Sequence, residues 1–175
     1  MSSEAKARLT HQAEDGRARM VDVGAKAETD RIAVAEGSLR MERATFDAMV
    51  AGRTSKGDPL VVAQIAGIQA AKRTSDLIPL CHALPLTQID VELEADASLP
   101  GIRVRATTRV KGRTGVEMEA LTAVSVALLT AYDMLKALDR EMVVEHVRVL
   151  SKAGGRSGSW NASQVTPDNS GGSNG

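Results

Sequence analysis

An α+β fold, an antiparallel sheet packed against helices, is the class this sequence predicts, and three observations carry it. Two runs of strict apolar–polar alternation, residues 89–95 and 102–107, flank the turn-forming stretch Asp96-Ala-Ser-Leu-Pro-Gly101. Helix start and stop signals bracket residues 42–51 and open a second helix at Asp58-Pro59. A basic glycine-rich stretch, Lys111-Gly-Arg-Thr-Gly115, runs straight into a long apolar helix. At 175 residues the chain fits one domain with a real buried core. That domain is expected over 18–157, between a flexible segment at 1–17 and a disordered Gly/Ser-rich tail at 158–175, whose polar composition cannot offset chain entropy by burial.

In chain order, extended segments are expected near 20–25 and 32–41. The first helix, about 42–51, stops at Gly52, a normal C-terminal glycine. The second begins with Asp58 as cap and Pro59 at its first position. Its Val61, Ile65 and Ile68 form an apolar stripe on which Lys72 also falls. A lysine there snorkels toward water as readily as it serves a function. Ile89, Val91, Leu93 and Ala95 then share one strand face, and Asp90, Glu92 and Glu94 the other. Paired with 102–107 as a hairpin, those acids sit opposite Arg103 and Arg105, which therefore read as solvated cross-strand partners rather than phosphate ligands. The third helix, about 116–138, is apolar or small on every side from Ala120 to Ala131. That run is shorter than the ~20 apolar residues of a membrane span, so it is expected to be buried, one flank on the sheet and another against a second subunit. A last extended segment covers 142–150.

Composition narrows the function. Lys+Arg and Asp+Glu both number 22, so no bulk charge draws the chain to nucleic acid or to an anionic membrane. Aromatics are 2%, too few for stacking single-stranded bases. The lone Cys81 excludes an intrachain disulfide and fits a reducing cytoplasm. His11, His82 and His146 lie far apart with no Cys pair, so no metal site is readable and no cofactor is expected.

The chemistry-bearing residues gather around loops. Glu117 and Glu119 straddle Met118 at the helix start, where outward N–H groups and the dipole favour anions. Glu117 alone reads more readily as a helix-start residue. Asp133 and Lys136 form a second acid–base pair further along. Basic glycine-containing loops at 52–58, 111–115 and 151–158 hold Lys56, Lys111 and Lys152. Three such loops in a chain of zero net charge suggest a polyanionic small molecule. His82 by itself reads as a satisfied core histidine.

Lys56-Gly-Asp58, Ile65-Ala-Gly-Ile-Gln-Ala-Ala-Lys-Arg73, Asp76-Leu-Ile-Pro-Leu-Cys-His82, Thr114-Gly-Val-Glu-Met-Glu-Ala-Leu-Thr122, Tyr132-Asp-Met134 with Lys136, and Ser151-Lys-Ala-Gly-Gly155 follow one another in order. Together they resemble the molybdenum cofactor biosynthesis protein C family, the cyclic pyranopterin monophosphate synthases, over roughly 20–158. Ala83 departs from the proline expected after the Cys-His pair. The resemblance implies a ferredoxin-like subunit in a homohexamer, a trimer of dimers. It implies a cyclised dihydro-GTP substrate, a small-molecule triphosphate, and the release of pyrophosphate. It further implies catalytic roles for Asp133, Lys136 and Lys56. Substrate contacts would come from Leu80, Cys81, His82, Met118 and Glu119, with Glu117, Lys72 and Lys152 beside them. A non-catalytic oligomeric module that holds a phosphorylated metabolite is the competing class, since a fold alone decides no function.

Overall fold

The computed structural model describes residues 17–156 and 158–163. The expected flexible segment lies outside them apart from Arg17, as does the expected tail beyond 163. The elements run β1 (Thr29–Arg40), α1 (Arg43–Val50), α2 (Pro59–Lys72), α3 (Thr74–Leu77), β2 (Gln88–Asp96), β3 (Gly101–Gly112), α4 (Glu117–Leu135), β4 (Val143–Ala153) and β5 (Trp160–Asn161). One antiparallel sheet has the order β2-β3-β1-β4-β5. Without β5, a strand–helix–strand–strand–helix–strand chain with its first and third strands central is the ferredoxin-like arrangement.

Alternation decides which sheet face is buried. Ala33, Ala35 and Leu39 of β1, Ile102, Val104 and Ala106 of β3, and Val91 of β2 point one way and are buried. Against them lies α4, through Ala120, Val124, Ala127, Leu128, Ala131 and Leu135. The opposite face carries the charges. There the register sets Glu92 across from Arg105 and Glu94 across from Arg103, as the hairpin pattern predicts. Arg103 makes its ion pair with Asp96 at the hairpin end, and hydrogen bonds from Ser98 and Arg103 hold that carboxyl below the usual carboxylate range.

Asp58 caps α2 as expected, its Oδ1 accepting from Leu60 N at 2.9 Å. The buried face of α2 is not the expected one. Ala63, Gly67, Ala70 and Ala71 are buried, whereas Val61, Val62 and Ile65 are exposed. Small residues let α2 approach α4 closely, and a Cβ on Gly67 would stand 2.9 Å from the Ala123 carbonyl oxygen. Of the apolar stripe Val61, Ile65 and Ile68, only Ile68 packs against the core, because fit against α4 rather than hydrophobic volume sets the inward face. Gly67→Val should therefore cost about 1–3 kcal/mol by overpacking. The expected reading is a lower urea midpoint at unchanged slope; an unchanged midpoint would contradict this packing.

Other differences have local causes. Residues 20–25 form no strand, because the Asp22 carboxylate accepts from Gly24 N at 2.8 Å and a turn closes from Lys26 N to Val23 O at 3.0 Å. The third helix ends at Leu135, with Lys136 as its C-cap. Trp160 and Asn161, inside the stretch expected to be disordered, pair with Lys152 and Ser151 as β5. By length and composition α4 does reach the threshold for crossing a membrane, contrary to the expectation from the apolar run. Its apolar surface nevertheless packs on β1, β3 and α2, the position of a core helix, although Leu129 remains 60% exposed.

Candidate active site

A cleft of about 950 Å³ opens at the start of α4. It brings together Leu80, Cys81 and His82 from the loop before β2, Glu117, Met118 and Glu119 from the first turn of α4, and Lys152 from β4. Local structure explains each placement. Thr108 Oγ1 donates to the Val116 carbonyl at 2.9 Å and fixes the entry into α4. Lys152 pairs in register with Ala33, so it shares the helix-side face, and its Nζ lies 2.9 Å from Glu117 Oε1. His82 Nε2 stands 2.8 Å from the Val21 carbonyl oxygen. A carbonyl only accepts, so Nε2 carries the proton and Nδ1 is left as the ring's proton acceptor in the neutral form.

Glu119 is 4% exposed. Burial pushes its carboxyl pKa up and the charge of Glu117 adds to that, while a bond to its own backbone N–H opposes them. Burial also raises the Cys81 thiol, with Glu119 contributing. The start of the helix therefore holds one lysine-paired carboxylate and one whose burial makes its proton harder to lose, a pairing suited to exchanging protons with a bound ring.

Lys26, Arg31, Arg113 and Arg156 also line this cleft. With Lys152 they give five cations against the two carboxylates Glu117 and Glu119, in a chain of zero net charge. Arg31, which the sequence analysis missed, shares the parity of the buried Ala33 and Ala35 along β1. Its guanidinium needs the glycine pair at the end of β4. A Cβ on Gly155 (φ 73) would fall 1.8 Å from Arg31 Nη1, and one on Gly154 (φ 102) would fall 2.0 Å from the Asp30 carbonyl oxygen.

Asp133, Lys136 and Lys56 form a second cluster at the far end of α4. Asp133 Oδ2 is 3.2 Å from Lys56 Nζ, and its Oδ1 is 2.5 Å from Lys136 Nζ. Lys56 also donates to the Asp133 backbone carbonyl at 3.0 Å. Hydrogen bonds from Lys136 and then Lys56 hold the carboxyl below its ordinary value. All three side chains are about half exposed. Because α4 is unbroken from Glu117 to Leu135, Glu119 and Asp133 stand about 21 Å apart along its axis. The chain thus divides its candidate residues between two places. Lys72, exposed at the end of α2, joins neither. Among the described residues no trio of His, Cys, Asp or Glu is placed to hold a metal ion.

The ferredoxin-like domain thus carries a cationic cleft at one end of its central helix and a Lys–Asp–Lys cluster at the other, charges able to hold an anionic small molecule beside acid–base groups. The sequence profile of the MoaC family matches residues 20–155, and the chain belongs to that family. Two relatives, each named cyclic pyranopterin monophosphate synthase, come from Brucella ovis and Brucella abortus. Each is 60% identical over 153 residues, covering 87% of this chain and 93% of the relative. A relative of the same name from Brucella suis is 59% identical over the same extent.

Proposed function

We propose that this chain is a cyclic pyranopterin monophosphate synthase. It takes the cyclised dihydroguanosine triphosphate to cyclic pyranopterin monophosphate and pyrophosphate in molybdenum cofactor biosynthesis. The observation that carries the proposal is the excess of cations in a cleft that also holds Glu117, Glu119 and His82, within a chain of this family. Closing a cyclic phosphate expels pyrophosphate, whose developing charge needs fixed cations, and Lys152 with Arg31 and Arg156 supplies them. Opening the purine five-membered ring and closing a pyran ring require proton transfers. Glu119, whose carboxyl pKa burial raises, is the proposed donor, and Asp133, held ionised between two lysines, is the proposed acceptor.

Two features support a proposed assembly. Val61, Val62, Ile65 and Leu129 are exposed apolar residues on the helix layer, and a second copy is their proposed cover. One pterin ring cannot touch both ends of α4 on a single chain, and a triphosphate-bearing ligand would only just span them, so the site is proposed to combine Glu119 of one copy with Asp133, Lys136 and Lys56 of another. A homohexamer built as a trimer of dimers accommodates this. The free Cys81 suits the cytoplasm as its compartment.

The test is pyrophosphate release from the cyclised substrate. Wild type should release it, Lys152→Ala should lose about 10²-fold or more, and Arg103→Ala should stay near wild type because Arg103 lies on the other sheet face. No release by wild type would favour the binding-module reading. Equal damage from Arg103→Ala would move the phosphate site off the cleft.

A further inference from the structure

Residues 19–28 form neither helix nor strand, yet they cross the same cleft. Val21, Val23, Ala25, Lys26 and Ala27 face into it. Two side chains from opposite walls fasten this crossing. His82, from the loop before β2, donates through Nε2 to the Val21 carbonyl at 2.8 Å. Arg113, from the turn that leads into α4, donates through Nη1 to the Gly24 carbonyl at 2.9 Å. The Nε of Arg113 also stands 3.7 Å from Glu28 Oε1. Most of residues 19–28 are exposed, with only Val21 and Val23 half-buried, so little apolar burial holds the segment down.

We propose that residues 21–28 are a strap over the cleft and that Arg113 is the positioning residue that seats it, with His82 as the opposite fastening. A guanidinium suits this task because its fork addresses a carbonyl and a carboxylate at once, which an ammonium on a flexible stem does less well. A segment with few apolar contacts opens locally at small free energy, so two charge-assisted or carbonyl bonds weigh heavily in its closed fraction. An open strap leaves one side of the cleft unbuilt. A ligand that needs the closed form then binds weaker by the fraction closed, while the step after binding is unchanged.

This effect on turnover rests on the function proposed above, but the seating itself does not. The test is amide hydrogen exchange of the full chain, without substrate, in wild type, Arg113→Lys and Arg113→Ala. Exchange across 21–28 should rise about 10-fold in Arg113→Ala and less in Arg113→Lys, with the β1 and β3 amides unchanged. Arg105→Ala, on the opposite sheet face, should leave the strap as in wild type. In pyrophosphate release, Arg113→Ala should raise KM about 10-fold with kcat within about twofold. Equal exchange at 21–28 in wild type and Arg113→Ala would overturn the proposal, as would a loss confined to kcat. If no variant releases pyrophosphate, the function reading fails and the exchange rates alone decide whether Arg113 seats the strap.

Discussion

Asp133→Asn is expected to lower turnover by about 10²–10⁴-fold while leaving the fold intact. The carboxylate is 57% exposed and touches two lysines rather than the core, so its loss removes a proton acceptor, not packing. Lys56→Ala and Lys136→Ala should fall in the same direction, since each lysine helps to hold Asp133 ionised. The sign with pH follows. The folded carboxyl lies below its unfolded value, so its stabilising contribution is present above the unfolded value and is lost as pH falls through the lowered folded one. Solvent screening keeps that contribution to stability small. Activity should therefore persist below the usual carboxylate range before this group fails. Thermal melts and steady-state pyrophosphate release measure both effects. An Asp133→Asn variant that keeps more than about a tenth of wild-type turnover would contradict an acid–base role for this group.

Glu119→Gln should separate stability from activity in the opposite way. Its carboxyl is buried, and burial raises its folded value above the unfolded one. Stability from the protonated form is thus full below the unfolded value and declines as pH rises through the raised folded value. Glutamine keeps the shape and never ionises. The variant should melt above wild type at pH 8 and draw level near pH 4, with pyrophosphate release lost at both. A gain on the order of 1 kcal/mol would appear as roughly 2–4 °C for a chain of this size. A variant less stable than wild type at pH 8 would mean that the charged carboxylate has a partner that offsets its burial.

What the sequence made legible was local. The hairpin, the Asp58-Pro59 helix start and the stop at Gly52 each depend on neighbouring residues, and each stands where the pattern put it. The inward face of α2 was not legible, because close approach of two helices favours Ala63, Gly67 and Ala71 over Val61 and Ile65. Nothing in Trp160-Asn161 signals a strand; its pairing with β4 is a tertiary contact. The strap was misread as a strand because alternating Val21 and Val23 hide the turn set by Asp22.

The candidate site was legible as a set of residues through family resemblance, but not in its arrangement. Leu80, Cys81, His82, Glu117, Met118, Glu119 and Lys152 share one cleft. Asp133, Lys136 and Lys56 share another place. Only the straightness of α4 reveals the distance between them. Arg31 escaped notice because an arginine in a strand is ordinarily assigned to the solvated face, although its parity with Ala33 said otherwise.

Those two clusters, about 21 Å apart on one helix, are proposed to work on one substrate through two copies of the chain. Complementation between Glu119→Gln and Asp133→Asn tests this most directly. Both variants should fold, and each alone should be inactive. After subunit exchange at equal amounts, half of the pairs are mixed, and each mixed pair holds one fully intact site. Pyrophosphate release should then return to about a quarter of the wild-type rate. If a labelled subunit demonstrably exchanges and no release returns, the site belongs to a single chain and the shared arrangement is wrong.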